Sequence, residues 1–238
     1  MAAESKSFIP RITSDRNLRS RQALTADGST RTRTVDRWAW FEVGLVFALI
    51  MMAVWTPQGH ASTSSSVLAA LCLVWLTVRR RYSAGELGLT RPGSGTVVML
   101  VSGGFMVATI VVAGSLIHRL GPAQPVPWPR AWHYAIWAFE QEFILQSFFY
   151  VRLESLLGGR RAVMAAACLF AAAHVPSPAL TLLSFIGGLI FCDMFRRYRN
   201  IFPLGLVQAT LGLAIAVSLP DRLLHHMRVG IGYISYRP

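Results

Sequence analysis

Apolar and polar positions alternate in blocks along this chain, and the apolar blocks form seven long runs joined by short polar links. The first run, about 38–55, reads WAWFEVGLVFALIMMAVW and has tryptophans at both ends. Indole rings favour the two membrane–water interfaces, so this run predicts a spanning helix, with Glu42 expected at headgroup level. The link PQGHASTSSS carries no Lys or Arg. The second run, about 66–78, stops at Arg79-Arg80-Arg81. It is short for a span, so its helix is expected to begin earlier, among the serines. The third run, about 95–117, holds no charge over 23 residues. At about 1.5 Å per residue it reaches near 35 Å, enough to cross with tilt.

The linker 118–131 holds Pro122, Pro125, Pro127 and Pro129, a density that predicts an extended surface segment rather than helix. The fourth run covers about 132–156. The fifth, about 160–173, closes at a turn His174-Val175-Pro176-Ser177-Pro178. The sixth, about 179–195, ends in Arg196-Arg197-Tyr198-Arg199-Asn200, and the seventh covers about 201–219. A soluble core needs apolar stripes, whereas these are unbroken runs. The expectation is an all-α, polytopic transmembrane helix bundle of about seven spans over residues 37–219. A basic tail (1–36) precedes it and an interfacial tail (220–238) follows.

Charge sharpens this reading. Only 14% of the 238 residues are charged, and the mean hydropathy is +0.46. Soluble domains carry about 25% charged residues. The net charge of +12 would suggest nucleic acid in a soluble chain. The apolar runs exclude that partner and point to membrane lipids instead. Residues 1–36 contain Lys6, Arg11, Arg16, Arg19, Arg21, Arg31 and Arg33 but no apolar stretch. They do not read as a secretory signal. They read as a disordered cytoplasmic tail that helps fix orientation. If seven spans alternate, this tail and the loops with Arg79–Arg81, Arg160-Arg161 and Arg196–Arg199 share one side. That asymmetry predicts a multi-pass protein of the cell membrane with a cytoplasmic N-terminus and the C-terminal tail outside.

Cys72, Cys168 and Cys192 fall inside apolar runs without a CxxC pair, which argues for packed thiols and against a disulfide framework or zinc knuckle. His225-His226 and Met227 lie in the C-terminal tail. That tail reads as an interfacial amphipathic segment, with Leu223, Leu224, Met227 and Ile231 toward lipid and Arg222 and Arg228 toward water.

Ionisable groups inside hydrocarbon are costly and are functional candidates by default. Glu140 and Glu142 sit in the fourth run, within AIWAFEQEFILQSFF. At 100° per residue, Glu142 and Gln146 share a helix face, while Glu140 and Glu142 point about 200° apart. Gln141 lies between them. His174 ends the fifth run, one turn after Phe170. Gln208 lies in the seventh, one turn before Gly212. A carboxylate, an imidazole and amides on three helices suit a glutamate-activated water attacking an amide. The plainer reading is an interhelical hydrogen-bond network that aligns the bundle. His174, Glu140 and Glu142 are too few for a metal site, no HExxH is present, and no cofactor is expected.

These residues resemble the motifs of the CPBP family, the CAAX-protease and bacteriocin-processing (ABI) intramembrane endopeptidases. That family carries EExxxR, FxxxH and HxxxN on three successive membrane regions. Here the motifs read Gln141-Glu142-Phe143-Ile144-Leu145-Gln146, then Phe170 through His174, then Gln208 through Gly212. The loop LGLTRPG (87–93) also resembles a family segment, and the likeness covers roughly 85–215. It implies a CAAX-prenyl-protease-2-like intramembrane protease acting on a membrane-associated protein or peptide. Glu142 and His174 match the motifs. Gln141, Gln146, Gln208 and Gly212 replace the first glutamate, the arginine, the histidine and the asparagine. An amide is no base near neutral pH. The base role then falls to Glu142 or Glu140, and Glu142 is preferred because the motif alignment sets it nearer His174; His174 is expected to orient the water and Gln208 to donate to the oxyanion, with Gln141 and Gln146 in the same pocket. Its alternative is a catalytically inactive relative with a membrane-binding or chaperone-like role.

Overall fold

A computed structural model of the chain describes residues 37–117 and 127–236. The basic tail and most of the proline linker lie outside the described residues. Helices account for all the regular structure among those described, with no strand. Helix α1 is Arg37–Trp55, α2 is His60–Arg80 and α3 is Gly95–Ile117. Helix α4, Trp128–Glu142, runs without a break into a π-helical segment, Phe143–Tyr150, and then into α5, Val151–Leu157. Then come α6 (Gly159–Ala172), α7 (Pro178–Tyr198) and α8 (Ile201–Ser218). The C-terminal segment makes two short helices, α9 (Asp221–Leu224) and α10 (Ile231–Ile234).

Helix α2 starts earlier than its apolar run, and ahead of the serines rather than among them, at His60. The proline-rich linker is not extended throughout. Helix α4 begins at Trp128, so Pro129 lies in its first turn. Amide hydrogens there have no intrahelical acceptor, so a missing N–H costs the helix nothing. Five helices, α1, α2, α3, α7 and α8, are long and apolar enough to cross a membrane. The other two expected spans are helical but differ in kind. Helix α6 has 14 residues. That length reaches about 21 Å, short of a hydrocarbon core of about 30 Å. The α4–π–α5 rod is long enough but carries Arg130, Glu140, Glu142, Arg152 and Glu154.

Helix α8 is the axis of the bundle, with 56% of its apolar window buried inside the protein. Small residues allow neighbours to approach it closely. Gly103 and Gly114 of α3 lie against Val207 and Ser218 of α8, where any added methyl group would collide. On another face, Gly205 and Gly212 of α8 lie against Phe139 and Tyr134 of α4. Helices α6 and α7 form an antiparallel pair around Gly188, whose missing side chain leaves room for Ala167.

The loop between α2 and α3 is fastened to the core rather than free. Ser147 Oγ donates to the Leu87 carbonyl at 2.7 Å, and the Ile201 amide donates to the Gly88 carbonyl at 3.0 Å. Asn200 caps α8 by accepting from the Phe202 amide and donates from Nδ2 to the Thr90 carbonyl at 2.9 Å.

Arg80 at the end of α2, Arg152 of α5 and Arg199 just after α7 gather at one end of the bundle. Glu42 accepts from Arg80 through Oε1 at 2.7 Å and from Arg152 through Oε2 at 2.9 Å. Glu154, two residues beyond Arg152, pairs with Arg199 and accepts from Tyr150 Oη at 2.9 Å. Glu42 is 5% exposed, because two guanidinium groups meet it inside the bundle. The C-terminal tail departs from its expected pattern. Leu224 is 2% exposed and joins the core rather than facing lipid. Gly230, at φ +55°, donates its amide to the Val175 carbonyl at 2.9 Å and presses against Val54. Only a glycine fits there, for want of both space and a left-handed preference in other residues.

Candidate functional site

The α4–π–α5 rod positions the first motif. Glu142 is the last residue before the π segment. The Val151 amide bonds the Gln146 carbonyl five residues back, the wider π pattern. Such segments are rare and frequently coincide with functional sites. Glu142 and Gln146 remain side by side on the inner face, each 0% exposed. Glu140 is exposed, so only one of the two carboxylates enters the bundle. Cys192 of α7, also fully buried, lies next to both Glu142 and Gln146.

The polar atoms here are unusually bare. Both carboxylate oxygens of Glu142, both amide atoms of Gln146 and Oε1 of Gln208 are buried without a hydrogen-bond partner. An unpaired buried polar group costs about 1–3 kcal/mol, more if charged. The four atoms of Glu142 and Gln146, side by side, mark a place where water or a ligand is needed.

Gln141 faces the other way, toward α8. There Gln208 donates from Nε2 to Gln141 Oε1 at 2.8 Å. The first and third motifs are thus joined directly, across 67 residues of chain. His174 lies just past α6, and its Nδ1 is 2.7 Å from the Phe170 carbonyl. The Phe170 ring stands edge-on to the imidazole at 4.8 Å. Both contacts come from the helix that carries the histidine. No hydrogen bond joins His174 to the Glu142 carboxylate.

An open groove of about 500 Å³ lies beside the His174 turn, between α6 and α7. Its lining includes Cys168, Ala172, Val175, Thr181, Leu182 and Phe185. It is mostly apolar, and none of Gln141, Glu142, Gln146 and Gln208 lines it.

Three features escaped the sequence reading. The Glu42–Arg152–Arg80 network carried one signal: a lone acid and a lone arginine inside apolar runs tend to pair. Ser147 and Tyr134 gave none, because their partners depend on how the helices are placed.

Among the described residues, no group of three His, Cys, Asp or Glu is arranged to hold a metal ion. No curated protein matches the chain. The family model Rce1-like, described as Type II CAAX prenyl endopeptidase Rce1-like, matches residues 124–214. That segment holds all three motifs, and through it the chain carries the CPBP-family likeness first read from its sequence.

Proposed function

We propose that the chain is a CAAX-protease-like intramembrane endopeptidase in which Glu142 activates the attacking water. The observation that carries this reading is the fully buried Glu142 carboxylate, with both oxygens unpartnered beside an unpartnered Gln146. The Rce1-like segment supplies the class of reaction. In the proposed step, Glu142 takes a proton from water, and the hydroxide bonds to the scissile carbonyl carbon. His174 orients the water. Gln208 uses one Nε2 hydrogen on Gln141 and keeps the other for the developing oxyanion. The proton held by Glu142 then passes to the amide nitrogen as the C–N bond breaks. The basic end of the bundle faces the cytoplasm, and the substrate is a membrane-associated protein or peptide.

The test uses the full chain in proteoliposomes with a fluorogenic prenylated CAAX peptide. Glu142→Gln is expected to lower cleavage at least 100-fold while the thermal midpoint holds or rises. Cleavage by Glu142→Gln at the wild-type rate overturns the reading.

The Gln141–Gln208 bond favours a second reading. Two amides satisfying one another keep helices α4 and α8 aligned without any base. A catalytically inactive relative with a membrane-binding or chaperone-like role fits that arrangement. It predicts no cleavage of any reporter, a cellular phenotype untouched by Glu142→Gln, and a phenotype lost when bundle packing is broken.

A further inference from the structure

The turn that carries His174 is held from outside by the end of the chain. Two of its residues, Pro176 and Pro178, have no amide hydrogen to give, so the turn has few bonds of its own. Among the described residues it takes one hydrogen bond from beyond α6 and α7. The Gly230 amide donates to the carbonyl of Val175, the neighbour of His174, at 2.9 Å. Gly230 is itself fixed. A methyl group built on it would strike the carbonyl and side chain of Val54, near the end of α1, and its φ of +55° disfavours other residues. The end of α1, Gly230 and the His174 turn are therefore stacked in one chain of contacts.

Residues 221–236 close into a clasp around that glycine. Asp221 Oδ1 accepts from the His226 amide at 2.6 Å and stands 3.0 Å from His226 Nδ1. Asp221 Oδ2 accepts from Tyr236 Oη at 2.8 Å, so one carboxylate ties the start of the segment to its end. The His225 ring lies against those of Tyr233 and Tyr236, with centroids 4.4 and 5.3 Å away. Leu224 is buried in the core, and Met227 and Val229 pack against it. His225, His226 and Met227 have φ values of +46°, +53° and +56°. Residues with side chains keep that conformation only where their surroundings over-determine it. The clasp lies beyond the Rce1-like segment, which ends at residue 214.

We propose that Gly230 is a positioning residue for His174: the C-terminal clasp holds the His174 turn against the end of α1, so that the imidazole stands where it orients the attacking water. Helix α6 holds the ring, through the Phe170 carbonyl. The clasp holds the backbone that carries the ring, through the Val175 carbonyl. The inference rests on the endopeptidase reading above and deepens it by naming what places His174.

The experiment uses the full chain in proteoliposomes, with two readouts. One is cleavage of the same prenylated CAAX peptide. The other is the imidazole NMR signal of His174, assigned by its loss in His174→Gln. Misplacing a catalytic group by about 1 Å can cost about 100-fold in rate. Gly230→Ala is expected to lower kcat at least tenfold with KM within twofold of wild type. It is also expected to move the His174 signal while those of His60 and His133 stay. A merely structural loss lowers the folded fraction but leaves the His174 signal of the folded molecules in place. An unmoved His174 signal therefore overturns the inference whatever the cleavage rate. A moved signal with wild-type kcat overturns it too, and neither result touches the endopeptidase reading. A wild-type chain that does not cut the peptide overturns both. Asp221→Ala opens the clasp without altering Gly230, Val54 or Val175. It is expected to lower kcat at least threefold and to move the same signal. It decides the matter if Gly230→Ala misfolds: an unmoved His174 signal in Asp221→Ala overturns the inference.

Discussion

Glu42 Oε2 stands 2.9 Å from Arg152 Nε across 110 residues of chain, with the arginine side chain fully buried. Arg152 also packs its guanidinium 3.7 Å from the centre of the Phe148 ring and donates to the Phe148 carbonyl at 3.3 Å. Its second terminal nitrogen has no partner. The pair ties α1 to the end of the rod that carries Glu142, and Arg80 brings in α2. Glu42→Ala leaves two guanidinium groups without their counter-charge. Removing one partner of a buried pair costs about 3–5 kcal/mol. The expected outcome is a large fall in the thermal midpoint in detergent. Glu42→Leu with Arg152→Met, which removes both buried partners, is expected to recover most of the loss.

The Gln141–Gln208 bond gives a smaller and cleaner effect. Gln208→Leu leaves Gln141 Oε1 facing an apolar side chain. Hydrogen bonds between membrane helices average about 0.6 kcal/mol by double-mutant cycles, with a maximum near 1.7. A destabilisation of about 1 kcal/mol is expected from equilibrium unfolding in mixed micelles. Gln141→Glu keeps an acceptor for Gln208 Nε2 and adds a second carboxylate next to Glu142. If the endopeptidase reading holds, its cleavage rate is expected to match or exceed wild type, measured with the prenylated CAAX peptide.

Backbone space, rather than polarity, governs Gly88. Its φ is +69°, and an added methyl group would strike the Phe195 ring. Gly88→Ala therefore combines an unfavourable backbone conformation with a collision in the core. A loss above about 2 kcal/mol is expected. Gly93 is the control: nothing lies near its would-be methyl group and it has no left-handed strain. Gly93→Ala is expected to unfold within about 0.5 kcal/mol of wild type.

The ease of reading each part follows from the range of the interactions behind it. The α3 boundaries, Gly95–Ile117, coincide with an uncharged run. Hydrocarbon demands that pattern locally, so the sequence displays it. Glu142 and Gln146 share a buried face because four residues make about one turn, again a local rule. The π pattern between Phe143 and Tyr150 has no such local signature. Nor does the placement of Glu42, whose burial depends on Arg152 arriving from the far end of the chain. The inner position of Glu142 over Glu140 was a two-way choice that periodicity framed but could not settle. Only packing against α7 decides it. Gly212 looked like the loss of a motif side chain. In three dimensions it is the space Tyr134 fills.

The loop that delivers Leu87 to Ser147 is expected to respond to acid. Glu86 accepts from the Ser83 amide at 2.8 Å and from the Ser83 hydroxyl at 2.7 Å. The amide bond first, and the hydroxyl bond second, hold its carboxyl below the ordinary glutamate range. A carboxyl depressed by folding contributes stability above its unfolded pKa, and that contribution is lost as pH falls through the folded value. The Ser83–Glu86 turn is therefore expected to hold at neutral pH and loosen below about pH 4. Amide hydrogen exchange at Leu87, Gly88 and Leu89 reads this directly, corrected for the intrinsic pH dependence of exchange. Protection of these amides should fall on acidification in the wild type. In Glu86→Ala it should be lower at neutral pH and nearly flat with pH. Equal protection in both proteins across the range would show that Ser147 and Ile201 hold the loop without help from the turn.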